Sequence, residues 1–402
     1  MIFSQILILR CYATLSDLIF DLTGLYVPLP IFSFGFFVAL AFLIAAWFMR
    51  RDIIRKEKLG YFQPFTKEVW IGKPASPLEL GGNALIGFII GYKLLPIITN
   101  YQAFSKMPQE FILSSEGSVI GGLVVAIFLL YLKYYEKNKV KLDKPKKEKV
   151  KVFPHELTGD IVIMAAFSGI AGAKIFNFFE APGNLMDFIN DPLGNFFSGL
   201  AIYGGIIGGA IGVSYYAWKK NIHPLILADT IAPTLFIAYA VGRMGCQVSG
   251  DGDWGIVNTA PKPDWLVWLP DWLWAYDYPH NIINQGTTIP GCMETYCKVL
   301  EQPVYPTPLY EGIMATILFV FLWNIRKKIT IPGVMISLYL TLNGVERFFI
   351  EKIRVNTKLE IFGFQATQAE FIAVVFILLG IAGIFYFRKK YKNYKPGKPA
   401  IE

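Results

Sequence analysis

Nine stretches of the chain, near 30–49, 83–99, 117–134, 158–178, 199–218, 224–243, 308–325, 331–350 and 369–387, are apolar over roughly 17 to 25 residues each. A helix of that length crosses about 30 Å of hydrocarbon. Lipid offers no hydrogen-bond partner to bare backbone, so a chain built from such stretches folds as an all-α polytopic membrane protein. Composition points the same way: 54% of the 402 residues are hydrophobic, 33 are Phe and only 17% are charged. A soluble domain of that make-up would expose large apolar patches.

Lys and Arg orient the bundle, because cytoplasmic loops carry the excess positive charge. With the N-terminus outside, the inside loops hold Arg50 to Lys58, the Lys-rich run 133–151, Lys219 with Lys220, Arg326 to Lys328, and the tail 388–398. About two thirds of the 38 basic residues fall there, and the assignment alternates through all nine spans to a cytoplasmic C-terminus. The net charge of +8 is then a topology signal, and no nucleic-acid partner is expected. The first 28 residues carry Arg10 inside an apolar run and no small-residue cleavage site, which predicts an interfacial segment on the outer face.

The chain divides into an N-terminal segment and first helix over 1–50, a two-helix section with a Lys-rich linker over 51–154, a core over 155–390, and a basic tail over 391–402. The core contains an external loop, 256–306, in which DWLVWLPDWLWAYDYPH (264–280) concentrates Trp and Tyr. Such a loop suits the headgroup level, as a folded cap, a substrate-holding lip, or both. Cys292 and Cys297 in GCMETYC share this loop, as one disulfide in an oxidising compartment or as two thiols, while Cys11 and Cys246 stand alone. His155, His223 and His280 are scattered and the Asp251/Asp253 pair lacks the rest of a calcium loop, so neither a metal nor a cofactor is expected.

Charges at the ends of apolar helices are costly and mark function by default. Lys174, Arg243, Arg347, Glu351 and Arg354 all fall near the outer ends of spans, predicting one site at the outer leaflet. Asn343, Arg347, Glu351 and Arg354 fall at i, i+4, i+8 and i+11, a single helical stripe. Snorkelling explains an arginine there but not a carboxylate between two arginines. In AIYGGIIGGAIG (201–212) the glycines serve close helix packing, or Tyr203, Gly204 and Gly205 let backbone approach a ligand headgroup. In PVYPTPLYEG (303–312), Tyr310 and Glu311 enter the first turn of a helix, where a carboxylate is favoured by the dipole. Arg243 ends a helix in GRMGCQVSGDGDWG (242–255), and two arginines on separate helices suit a phosphate clamp. A transporter or flippase for an anionic solute also uses buried arginines and glycine-rich helices. Against it, the two halves show no repeat and the arginines gather at one face.

Taken in order, FGFFVALAF, AGAKIFNFF (171–179), LAIYGGIIGG (200–209), ADTIAP (228–233), GRMGCQVSGDGDWG, YPTPLYE (305–311) and NGVERFFIEKIR (343–354) resemble the bacterial prolipoprotein diacylglyceryl transferases. The resemblance covers roughly the first 50 residues and 155–390, and implies a seven-helix core to which the spans at 83–134 are an insertion. It implies an enzyme of the bacterial cytoplasmic (inner) membrane, working toward the outer leaflet. Such an enzyme transfers the diacylglyceryl group of phosphatidylglycerol to the lipobox cysteine of a preprolipoprotein and releases glycerol phosphate. Partners would be phosphatidylglycerol, lipobox signal peptides and membrane lipids. Arg243 matches the family's headgroup-binding arginine and Arg347 a second essential one; Glu351 and Arg354 fall on the polar positions that follow. Gly250, Asp251 and Gly255 match the signature's glycine, acidic and closing glycine positions. Tyr203 and Tyr305 stand where many members carry histidine, Asn343 where Tyr is frequent, and Lys174 where Arg is common. The identity of the general base is therefore open, with Tyr203 as one candidate.

Overall fold

The computed structural model describes residues 10–397, apart from 30, 102–103, 105–110, 113, 193–194, 196–198, 357 and 362–363. The first nine residues of the expected interfacial segment, and 398–402 of the basic tail, lie outside the described residues.

The described chain is mostly helical. Its helices are α1 (Leu15–Thr23), α2 (Ser33–Lys58), α3 (Pro77–Thr99), α4 (Val119–Lys139), α5 (Thr158–Glu180), α6 (Gly183–Asn190), α7 (Ile202–Lys219), α8 (Pro224–Ser249), α9 (Thr307–Ile325), α10 (Val334–Ile350) and α11 (Gln368–Lys390). Three antiparallel strand pairs interrupt them: β1 (Phe65–Ile71) with β2 (Lys146–Val152), β3 (Thr287–Thr288) with β4 (Lys298–Val299), and β5 (Lys358–Ile361) with β6 (Phe364–Thr367). Among the described residues seven helices are long and apolar enough to cross a membrane: α2, α3, α4, α5 with the turn before it, α8, α9 and α11. The other two expected spans are helices as well, of 18 residues (α7) and 17 residues (α10). Glycine and tyrosine dilute the hydropathy of α7, and at about 1.5 Å per residue α10 is short against roughly 30 Å of hydrocarbon.

The chain divides into two compact units. The second, Pro64–Glu156 with Ile163–Tyr215, holds the β1–β2 pair, α3, α4 and α6, most of α5 and all but the last turn of α7. Its helices pair through glycine. A Cβ on Gly91 would lie 2.2 Å from the Gly121 carbonyl oxygen, and one on Gly204 would lie 2.4 Å from that of Gly172. Such backbone approach is the close-packing use of small residues in membrane helices. Here α3 packs on α4, and α5 on α7.

The first unit is Met1–Gln63, Leu157–Val162 and Tyr216–Glu402. Half of the apolar window of α8 is buried against 17% in α11, so α8 is its central helix. Ala232, Phe236 and Ala240 recur every four residues and make one buried face of α8, met by Ala315, Phe319 and Leu322 of α9 and Met335 of α10. Phe48 of α2 closes the cluster, with its ring centroid 4.8 Å from both Phe319 and Trp323.

Polar groups pin the first turns of α8. Asp229, 7% exposed, accepts from the backbone N–H groups of Gly333 (2.7 Å) and Ile336 (2.9 Å), and so caps the start of α10 from another helix. Lys56 of α2 reaches the Ile226 carbonyl at 3.3 Å, and Asp52, 1% exposed, pairs with Arg55 (2.7 Å) and Arg326 (2.9 Å).

Beyond the last residues of α8 the loop 256–306 forms a small folded head. Trp254, Tyr276, Tyr278, Leu300 and Val304 make its core together with Cys11, so residues just before α1 are part of the head. The Cys11 N–H donates to the Pro279 carbonyl and the Tyr12 N–H to that of Val248, both at 2.7 Å. Asn281, fully buried, donates to the carbonyls of Tyr278, Gln285 and Lys298 and accepts from the Gln285 N–H, which fixes the turn below β3. Cys292 and Cys297 form a disulfide in this loop, while Cys11 and Cys246 are free and buried. Trp265 and Trp268 are 72% and 76% exposed, so the aromatic loop is a folded cap that keeps two indoles outward.

Candidate functional site

In the first unit, the C-terminal part of α8, the first turns of α9 and the end of α10 bring three guanidiniums together. Glu311 of α9 is their common partner and is fully buried. Its Oε2 pairs with Arg243 Nε, and its Oε1 with Arg347 Nη1 at 3.3 Å and Arg354 Nη1 at 3.1 Å. Asp253 takes a second contact from two of them, from Arg243 Nη1 and from Arg354 Nη2 at 2.8 Å. Glu351 takes the remaining one, from Arg347 Nη2 at 2.9 Å. The three arginine side chains are only 11%, 23% and 10% exposed, so removing a carboxylate partner strands buried charge.

Local sequence explains how each group arrives. Gly250 ends α8 with φ +64°, a left-handed cap that turns the chain back over the helix end. Asp253 then donates its backbone N–H to the Asp251 side chain at 3.2 Å, an Asx turn that aims the Asp253 carboxylate at the arginines. Gly255 lies where three segments cross: a Cβ there would stand 2.5 Å from the Ile353 carbonyl oxygen and 2.9 Å from Tyr305 Cβ. Its N–H donates to Tyr305, and that of Ile256 to Ile353, both at 2.9 Å. The Thr307 hydroxyl donates to the Asp253 carbonyl at 2.9 Å, tying the turn to the start of α9.

Two expectations from periodicity change here. The regular helix ends at Ile350, Glu351–Ile353 is a tighter turn, and Arg354 is extended with φ −91° and ψ 154°. Arg354 thus reaches Glu311 across a bend, bridged to Gly255, rather than along the helical stripe. Glu311 lies beyond the first turn of α9, since that helix starts at Thr307; its charge serves three arginines rather than the helix dipole.

The electrostatics follow from the pairing. Burial works to raise the Asp253 carboxyl, but Arg243 and Arg354 overcome it and hold it below the usual carboxylate range. Burial dominates at Asp251 and pushes its carboxyl up, partly offset by a hydrogen bond from Cys246. For Arg354 burial opposes the charge, and Glu311 with Asp253 more than restores it. Cys246, Asp251 and Asp253 offer three ligand atoms within 4.8 Å of one another. Arg243 Nη1 lies 3.9 Å from the Cys246 sulfur and pairs with Asp253, so a guanidinium already supplies the positive charge that this group attracts.

Tyr310 donates to the Leu273 carbonyl at 2.6 Å and anchors the aromatic loop to α9. Asn343 lies one turn before Arg347 on α10. Tyr203, Gly204 and Gly205 lie in the first turn of α7 and Lys174 on α5, both in the second unit, and the Lys174 Nζ donates to the Asn195 carbonyl at 2.6 Å. Sequence reasoning missed Glu346, a 5% exposed carboxyl beside Arg347 on α10. A charged residue inside an apolar run was the available signal.

A family model described as prolipoprotein diacylglyceryl transferase matches residues 140–386, more than half of the chain. A phosphatidylglycerol–prolipoprotein diacylglyceryl transferase of Oceanobacillus iheyensis is 29% identical over 276 residues, covering 67% of this chain and 83% of that protein. A protein of the same name from Staphylococcus epidermidis is 30% identical over 237 residues (59% and 76%), and one from Staphylococcus aureus 29% over 239 (58% and 74%). With the signature residues drawn into one buried arginine cluster and the match spanning most of α5 to α11, this chain belongs to the prolipoprotein diacylglyceryl transferase family.

Proposed function

We propose that this chain transfers the diacylglyceryl group of phosphatidylglycerol to the lipobox cysteine thiol of a preprolipoprotein, releasing glycerol phosphate. The observation that carries this reading is the convergence of Arg243, Arg347 and Arg354 from three segments on one buried acidic hub. A phosphodiester accepts the same forked hydrogen bonds as a carboxylate, so the headgroup takes over guanidinium contacts now made to Asp253 and Glu311. In the reaction a sulfur–carbon bond forms as the glycerol carbon–oxygen bond breaks, and the electron pair leaves on the phosphate oxygen. Arginines held in a dry site stabilise that developing charge without reorganising. Arg243 and Arg347 act on the phosphate; Glu351 orients Arg347, and Asp251 and Asp253 orient Arg243 and Arg354. Gly250 and Gly255 shape the floor, Tyr310 and Asn343 border it, and Tyr203, Gly204 and Gly205 contribute to lipid placement.

The chain is placed in the bacterial inner membrane with nine spans, the N-terminus and head outside, the C-terminus in the cytoplasm, and the arginine cluster toward the outer leaflet. The distribution of Lys and Arg supports this sense. So does the Cys292–Cys297 disulfide, which suits an oxidising compartment. Residues 155–390 form the catalytic core, and 51–154 are an insertion.

The test is to incubate purified protein with phosphatidylglycerol vesicles and a lipobox peptide, and to read the peptide by mass spectrometry. The expected result is one diacylglyceryl mass on the cysteine peptide and none on its Cys→Ser counterpart. Absence of product from the cysteine peptide would sink the reading.

A further inference from the structure

A thiol attacks carbon as its thiolate, so the transfer needs a group to take the proton. Most polar groups of the arginine cluster are already engaged. Asp253, Glu311 and Glu351 each carry at least one arginine, and pairing with a cation makes a carboxylate a weaker base. Asp251 is tied to the Asp253 backbone and to Cys246. The Tyr310 hydroxyl is committed to a carbonyl of the head. Of the histidines, His280 Nδ1 sits 2.8 Å from the Tyr296 carbonyl in the head. His223 precedes α8, about 30 Å from Arg243 at roughly 1.5 Å per residue.

Glu346 is different. It is 5% exposed, and neither carboxyl oxygen has a hydrogen-bond partner among the described residues. Its electrostatic neighbours are Glu311 from α9, Arg243 and Tyr239 from α8, Arg347 and Tyr339 from α10 itself, and Arg354 beyond it. A buried carboxyl without hydrogen bonds is costly, and a purely structural one would be expected to have found donors. One kept bare beside the phosphate-binding arginines has both oxygens available to a group that arrives with substrate.

We infer that Glu346 is the general base of the transfer, taking the proton from the lipobox thiol as sulfur attacks the glycerol carbon. The inference rests on the transferase reading. The thiol proton passes to a Glu346 oxygen, the thiolate pair forms the thioether, the carbon–oxygen pair leaves on glycerol phosphate, and the proton then passes to water or product.

The test compares wild type with Glu346→Gln on a cysteine peptide and on its selenocysteine analogue, with phosphatidylglycerol vesicles as donor. A selenol is largely ionised at neutral pH and needs no base. With the cysteine peptide E346Q should lose about a hundredfold or more in kcat, with KM for the lipid little changed. With the selenocysteine peptide the deficit should shrink to less than about tenfold. Removing a buried carboxyl that has no hydrogen bond should leave the unfolding temperature equal to or above that of wild type. Should E346Q not fold, Glu346→Met takes its place in the same comparison, with similar volume and no carboxylate. Equal activity of variant and wild type, or an equal deficit on both peptides, overturns the role of Glu346 while leaving the transferase reading intact. A wild type that modifies neither peptide removes both.

Discussion

The two ends of α8 each hold a buried ionic cluster, yet they are built to different rules. At the first turns, Asp229 spends its charge on backbone N–H groups of α10, and Asp52 is matched by Arg55 and Arg326. At the last turns, three arginines share Glu311, Asp253 and Glu351, and a fourth acidic side chain, Glu346, has no hydrogen bond among the described residues. The first arrangement resembles a joint, in which each charge is answered by a fixed donor of a neighbouring helix. The second holds its cations on carboxylates, and under the proposed function a phosphate headgroup takes over those contacts. Burial of charge alone therefore does not mark a functional site; what matters is whether the partners are exchangeable.

Variants on both sides sharpen this contrast. The largest effect is expected for Glu311→Ala, which leaves three buried guanidiniums short of their hub and should cost about 3 to 5 kcal/mol. Thermal unfolding in detergent measures it, and a loss no larger than that of the Asp229 variant would erase the distinction between the two ends. Next, Arg243→Ala should lower the transfer rate about a hundredfold, or roughly 3 kcal/mol of transition-state stabilisation, while leaving the fold intact. Full activity in the vesicle assay would remove Arg243 from the headgroup site.

Asp229→Ala should do the reverse. Two N–H groups of α10 lose their acceptor, costing about 2 kcal/mol of stability, while the rate per folded molecule stays at the wild-type value. The smallest effect belongs to Asp253→Asn. Arg243 and Arg354 hold the Asp253 carboxyl below the usual range, so it contributes stability above its unfolded pKa and loses it as pH falls through the lower folded value. The variant should thus unfold earlier than wild type above about pH 4, and the gap should close as pH drops further. Unfolding midpoints across an acidic pH series read this directly, and a gap that widens toward low pH contradicts the pairing.

Much of the site was legible because membrane chains advertise their costly residues. Arg243, Arg347, Glu351 and Arg354 stand out where apolar runs end, and the structure draws them to one place. Other parts were hidden. Glu311 looked like a helix-terminal charge because the start of α9 could not be located to the residue. Arg354 fitted a stripe that stops at Ile350, and only the bend bridged to Gly255 explains how it still arrives. Glu346 stands next to Arg347 rather than four residues from it, so the four-residue spacing does not pick it out, although a charge inside an apolar helix is itself a signal. Asp229 gave no sign of capping a helix more than a hundred residues away.

What the sequence determined by itself is what depends on local chemistry: apolar runs that become helices, glycines that permit close packing, and charges too expensive to sit in lipid without purpose. Which carboxylate answers which arginine was decided only by the tertiary structure. Those pairs join residues from Arg243 to Arg354, and their worth rests on burial and angle, which exist only once α8, α9 and α10 have packed.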